Sequence, residues 1–311
     1  MRVLFISRTD WASAGALLSK SLRSIGVESM SVCINPRQFE NETSSAVCNK
    51  RDLKDLVHRY DVIQFMHSEY IETGYSLKNK SVVVYHGGSR YRRDPRKVLK
   101  FWNGRADVHI VQTADLLGLG AFPEEWLLPP VDTDRIQPSY ISVPSNKRII
   151  MHCPSDPRKK GTKEFEDVIN SLKKSPSLKD KFTYEYMSKI GWSESINRKS
   201  KCDIYFDACK PMIEGKPYGF WGMAALEAAA LGKIVITHFK YGQKYYIDRY
   251  GYHNLKSANS MEEVKHQLVK HITMEVNEFK MEQRKTREWV VRNHSMKVVG
   301  QRLLDIYNKY S

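Results

Sequence analysis

Short apolar runs alternate with amphipathic stretches through the first half of the chain. Residues 3–6, 30–34, 62–66, 81–85 and 108–112 read as short strands, and apolar positions at helical spacing cover about 14–25. This alternation predicts a parallel sheet covered by helices within residues 1–145. Pro129, Pro130, Pro138 and Pro144 then stand among polar residues without sustained periodicity, so residues 127–145 read as a linker. A second series follows, with strands near 148–152, 182–187 and 203–206 and helices near 163–173, 261–276 and 279–293. The expected architecture is α/β, with two similar domains and a cleft between them.

Residues 218–237, YGFWGMAALEAAALGKIVIT, change character three times. Tyr218, Gly219, Phe220, Trp221 and Gly222 form a glycine-aromatic turn. Residues 223–231 are strong helix formers, apolar except at Glu227, and residues 234–236 read as a buried strand after Gly232 and Lys233. A helix rich in alanine can approach a sheet closely, where a lone carboxylate is costly unless it is satisfied, so Glu227 requires a partner or a path to solvent. The glycines leave free N–H groups at the positive end of the helix, a good place for a phosphate.

Composition narrows the class. The chain has 311 residues, 41% of them hydrophobic, which suits two globular domains. No run approaches the roughly 18 apolar residues of a membrane span, and Met1-Arg2 leads directly into a strand without a signal-peptide pattern, so a cytosolic protein is expected. Cys33, Cys48, Cys153, Cys202 and Cys209 show no CxxC spacing, which favours reduced thiols over a disulfide framework or a zinc site. Fifty Lys and Arg against 35 Asp and Glu give a net charge of +15, which implies a polyanionic partner or surface.

That charge is densest after His86-Gly87-Gly88-Ser89. Arg90, Arg92, Arg93, Arg96, Lys97, Lys100 and Arg105 interleave there with Tyr91, Phe101 and Trp102, a composition suited to phosphates, nucleic acid or lipid headgroups, or to a plain solvated helix face. Asp10 and Trp11 lie in the loop after the first strand, where α/β sheets place ligands, and are candidates for contact with a sugar or acceptor. The loop lacks a GxGxxG fingerprint, which disfavours a dinucleotide.

Three features of the second half each follow a strand. The loop PSDPRKKGT, residues 154–162, sets Ser155, Arg158, Lys159, Lys160 and Gly161 at a helix start, where a diphosphate fits. Residues 187–191, with Met187 and Ile190, offer backbone groups to a base edge, and Glu227 can accept from a ribose diol.

Lys160-Gly161-Thr162, Asp203-Ile204, Tyr218-Gly219, Ala225-Leu226-Glu227-Ala228 and Gly232-Lys233-Ile234-Val235 together resemble the retaining GT-B glycosyltransferases, in particular glycosyltransferase family four. Gly15, His86-Gly87 and the segment 294–307 add weaker support. The resemblance implies two Rossmann-like domains facing a cleft. Residues 1–145 would form an acceptor-binding domain with its linker, 146–293 a nucleotide-sugar-binding domain, and 294–311 a helix crossing back to the first.

It also implies transfer of a hexose or pentose from a UDP- or GDP-sugar with retention, without metal or cofactor, the nucleotide-sugar being a substrate. Lys160 would neutralise the diphosphate, Glu227 hold the ribose, His86 lie beside the transferred sugar, and Gly15 admit the phosphates. Catalysis would be electrostatic. Two positions depart from the family: Gly219 stands where it carries a sugar-binding Glu, and Ser155 where it carries an Arg, leaving Arg158 or Lys159 as substitutes. The acceptor would be a lipid-linked or polysaccharide glycan at an anionic membrane, or a base in nucleic acid, with Asp10, Trp11, Arg90, Arg92 and Arg93 on its side. No stable protein partner is expected. A non-catalytic binder of nucleotide-sugars or polyanions on the same fold is the alternative.

Overall fold

The computed structural model describes residues 1–35, 44–140, 147–219 and 221–310. The chain forms two compact units, one of Met1–Asp132 with Asn293–Ser311 and the other of Thr133–Arg292. The first division falls inside the proline-rich stretch 127–145.

Among the described residues the first unit holds a seven-stranded sheet. Its strands are β1 (Arg2–Ser7), β2 (Glu28–Cys33), β3 (Ala46–Val47), β4 (Val62–Phe65), β5 (Ser81–His86), β6 (Val108–Val111) and β7 (Glu124–Trp126). They are ordered β3-β2-β1-β4-β5-β6-β7, and every neighbouring pair is parallel. The order reverses between β1 and β4, the Rossmann arrangement, in which ligands bind beyond the carboxyl ends of the strands at the reversal. Helices α1 (Ala14–Arg23), α2 (Lys50–Arg59), α3 (Ser89–Arg93) and α4 (Pro95–Trp102) connect the strands. Asn49 caps α2 through the Arg51 and Asp52 amides, and Asp94 caps α4 through Lys97 with Pro95 in its first turn.

The second unit has a five-stranded sheet of β8 (Arg148–His152), β9 (Phe182–Tyr186), β10 (Ile204–Ala208), β13 (Ile234–Thr237) and β14 (Lys256–Ser257). Between β10 and β13 lies the hairpin β11 (Met212–Ile213) and β12 (Lys216–Pro217). The sheet order is β14-β13-β10-β8-β9, all parallel, with its reversal between β8 and β10, as in flavodoxin-like sheets. Helices α5 (Pro157–Lys160), α6 (Thr162–Lys173), α7 (Trp192–Lys201), α8 (Met223–Ala230), α9 (Gln243–Tyr250), α10 (Met261–Thr273) and α11 (Val276–His294) accompany it. Its core gathers Ile150, Phe165, Ile204, Phe206, Ile234, Ile236, Leu268 and Phe279.

The last helix, α12 (Met296–Tyr310), belongs to the first unit and lies on α1. Val299, Leu303 and Tyr307 join Leu18 and Leu22 of α1 and Phe5 of β1 in one core, and the Tyr307 hydroxyl donates to Gln64 Oε1 at 2.6 Å. The approach is close at Gly300, where a Cβ would lie 2.3 Å from the Ser21 carbonyl oxygen.

Candidate functional site

At the reversal point of the second sheet, the chain leaves β8 at His152 and builds a tight loop. Asp156 accepts from the Arg158 amide, Pro157 opens the single turn α5, and Gly161 ends it at φ 74°. A Cβ on Gly161 would lie 2.9 Å from the Cys209 carbonyl oxygen, and the Cys209 amide donates to the Lys160 carbonyl at 3.1 Å. The backbone at Lys160 is therefore fixed to the end of β10. His152 supports the loop from beneath, bonding to the Phe206 carbonyl at 2.9 Å through Nδ1 and to the Thr162 hydroxyl at 2.8 Å through Nε2. Burial lowers its pKa to about 4, so it is neutral, and the carbonyl places its proton on Nδ1.

Of the loop's three consecutive cations, Lys160 alone turns inward. Its Nζ donates to Asp207 Oδ1 at 2.8 Å, while Asp207 Oδ2 accepts from the Thr237 hydroxyl at 3.1 Å and the Gly222 amide at 3.3 Å. Burial opposes charge on both groups. The Asp207 carboxylate outweighs that effect at Lys160 and raises its pKa, and Lys160 reciprocally lowers that of Asp207, so both are charged at neutral pH. Arg158 and Lys159 are exposed, each 3.8 Å from Asp156, and Ser155 is also exposed.

Helix α8 starts beside this pair, since a Cβ on its N-cap Gly222 would lie 3.2 Å from Lys160 Nζ. Glu227 has the partner it requires, supplied by α7: Oε2 accepts from Lys199 Nζ at 2.6 Å and Oε1 from Trp192 Nε1 at 2.8 Å. A carboxylate offers about four acceptor positions, so these two bonds leave capacity for a diol. Met187 and Ile190 are partly buried after β9, with the Met187 amide bonded to the His152 carbonyl at 3.1 Å.

Gly219 adopts φ 77°, and a Cβ there would lie 2.9 Å from His238 Nε2, which is itself held at 2.8 Å by the Tyr218 carbonyl. An acidic side chain at 219 is therefore strained by the backbone and crowded by His238. Gly219→Glu should cost about 1–3 kcal/mol in urea denaturation, and a variant as stable as the parent would show that the turn adapts. Phe220 lies outside the described residues.

The first unit departs from several expectations. The positive end of α1 is occupied by Asp10, which accepts from the Gly15 amide at 2.8 Å, the Ala16 amide at 3.0 Å and the Ser45 hydroxyl at 2.7 Å. Gly15 serves this packing, because a Cβ would meet Ser31 Oγ at 2.7 Å, and its amide already has an anionic partner in place of a phosphate. His67 Nε2 stands 3.6 Å from Asp10 Oδ1. Ala12, Ser13, His67 and Ser68 are left-handed without being glycine, two at the head of α1 in the loop that follows β1 and two just after β4, the strands between which the sheet order reverses. Such conformations cost of order 1–3 kcal/mol each and cluster at functional sites. No pattern in the sequence marks them.

His86, expected beside the transferred sugar, is fully buried. Its Nδ1 bonds to Ser68 Oγ at 2.8 Å and its Nε2 to His109 Nδ1 at 2.9 Å, and the ring stacks on Tyr91 at 4.0 Å. Burial, aided by His109, lowers its pKa to about 3. Trp11 is 58% exposed. Arg90 pairs with Glu69 at 2.7 Å, and Arg92 is committed to Asp115, whose side chain is fully buried, so it is an internal ion pair rather than a surface cation. Arg93, Arg96, Lys97 and Lys100 are exposed on α3 and α4. Among the described residues no cluster of His, Cys, Asp or Glu is arranged to hold a metal ion, and no helix is long and apolar enough to cross a membrane.

No protein-family model matches the chain, and no curated protein matches it in sequence. Solved structures do match in three dimensions. An α-glucosyltransferase in complex with UDP and a 13-mer DNA containing an HMU base superposes with a TM-score of 0.71 at 15% identity, over 99% of both chains. A glycosyltransferase from Rickettsia africae gives 0.67 at 14% identity, over 99% of this chain and 98% of that one. HepE from Anabaena in complex with UDP gives 0.65 at 11% identity, over 99% and 100%. The chain has the α/β fold of these glycosyltransferases, built on Rossmann-like parallel sheets.

Proposed function

We propose that the chain is a glycosyltransferase that uses a nucleoside diphosphate sugar, held by the second unit, and an acceptor bound by the first. The observation that carries this reading is the convergence of Lys160, Asp207 and the start of α8 at the reversal point of the second sheet. Lys160 has three N–H donors and gives one to Asp207, so two are available to the diphosphate. As the bond from sugar to phosphate breaks, charge grows on the leaving oxygen, and a fixed, largely buried ammonium stabilises it more than water does. Glu227 accepts from the ribose hydroxyls with its remaining lone pairs, and transfer proceeds with retention.

The similar folds that hold UDP favour a UDP-sugar over a GDP-sugar. For the acceptor, the net charge of +15, the exposed cations Arg93, Arg96, Lys97 and Lys100, and the DNA-bound relative in fold favour nucleic acid over a lipid-linked glycan. The closed space at Gly219 favours a second reading, a nucleotide-sugar binder without transfer.

Calorimetry with UDP and GDP, and a UDP-sugar hydrolysis screen read by mass spectrometry, test both. UDP binding with slow sugar release supports the transferase, and binding without release supports the binder. Unchanged UDP affinity in both Lys160→Ala and Glu227→Ala removes the site assignment.

A further inference from the structure

Asp207 is an acid placed where an anion is expected to bind. Its carboxylate takes the Gly222 amide at the head of α8 together with one N–H of Lys160, and Thr237 fixes its second oxygen. The loop does not need this ion pair for its shape. The Lys160 carbonyl is already bonded to the Cys209 amide, and Gly161 packs against the Cys209 carbonyl. A buried ion pair is in general no more stabilising than an apolar pair of similar volume, so stability does not account for it either.

Lys160 is faced by Asp207 from β10, Tyr218 from the turn before α8, His152 from the end of β8 and His238 from beyond β13. Burial lowers the pKa of both histidines and leaves them neutral at pH 7 and above, so among the described residues Asp207 is the carboxylate that faces the ammonium.

We propose that Asp207 is a positioning residue for the diphosphate: it anchors Lys160 by one N–H and aims the other two at the phosphates. This rests on the nucleotide-sugar reading of the second unit. Asp207 acts through Lys160 and touches no substrate. The sign follows from the two environments. With Asp207 present the Lys160 charge persists to above the ordinary lysine range, and without it burial pulls the charge loss down below that range.

The test is calorimetric titration of the whole chain with UDP, inorganic pyrophosphate and uridine between pH 7 and 9.5. Wild type should bind UDP with little change across this range. Asp207→Asn should weaken UDP and pyrophosphate about tenfold at pH 7, the scale of one charged hydrogen bond, and about tenfold more by pH 9.5, with uridine unchanged. Thr237→Val keeps the carboxylate and removes one hydrogen bond to it. It should weaken UDP severalfold without pH dependence, and it decides the matter if Asp207→Asn does not fold. Equal or tighter UDP binding by the variants, or a loss independent of pH in Asp207→Asn, overturns the positioning role. If wild type binds uridine but neither UDP nor pyrophosphate more tightly, the diphosphate site itself is wrong. If it binds none of the three, the nucleotide reading fails and Asp207 has nothing to position.

Discussion

Lys160→Met is expected to weaken UDP binding by about tenfold to a hundredfold and to destabilise the second unit by about 3–5 kcal/mol. The first effect is the loss of charged donors to the phosphates. The second arises because Asp207, 2% exposed, keeps among the described residues the Thr237 hydroxyl and the Gly222 amide and becomes an uncompensated buried carboxylate. The two effects separate with pH. In the wild type the Asp207 pKa is lowered, so its contribution to stability is present above the unfolded carboxylate value, near 4, and is lost as pH falls through the folded one. In Lys160→Met burial raises that pKa, and protonation relieves the unpaired charge. The stability gap should therefore narrow as pH drops from 7 toward 4, while nucleotide affinity stays low throughout. Urea denaturation and calorimetry at pH 7 and 5 check this, and a gap that widens at acid pH overturns the assignment of a charged buried pair.

Lys199→Met should be of similar size, about 3–5 kcal/mol, for a related reason. The Lys199 side chain is 2% exposed, and its removal leaves Glu227 with the Trp192 indole as its hydrogen-bond partner. Adding Glu227→Gln to Lys199→Met should recover most of the loss, because a neutral amide needs no counter-charge. Binding reports on the other function of the same carboxylate. Glu227→Ala is expected to weaken UDP and uridine alike and to leave pyrophosphate unaffected, since the ribose is the group it would touch. A Glu227→Ala variant that binds uridine normally would leave the carboxylate as a packing element alone.

Where the sequence was legible, single-residue chemistry and periodicity agreed. Parallel strands such as β1, β5 and β13 carry buried apolar runs at 3–6, 82–85 and 234–236, and α8 stands out because alanine repeats leave one acid conspicuous. The need of Glu227 for a partner was readable from that contrast. Its partner was not, because Lys199 sits on α7, a polar helix that is not among those expected from the sequence. Asp207 was hidden for the opposite reason. It interrupts an apolar run, so the strand is expected to end at 206, whereas β10 continues to Ala208 and buries the acid against a lysine 47 positions away.

Asp10, His86 and Arg92 show a further limit. Each is polar, loop-adjacent and plausible as a ligand contact, yet each is turned inward by backbone geometry or a distant partner that no local pattern encodes. The short strands β3, β7 and β14 carry too few residues for any period to register.

The lodging of α12 against α1 has a consequence for how the protein is made. The second unit is a single continuous stretch, whereas the first is closed only when Val299, Leu303 and Tyr307 cover Leu18 and Leu22. Emerging from the ribosome, the chain has every residue of the second unit available while the first still lacks its covering helix. The usual amino-to-carboxyl order of domain completion is thereby inverted. The sheet of the first unit waits with an apolar helix face uncovered until α12 covers it.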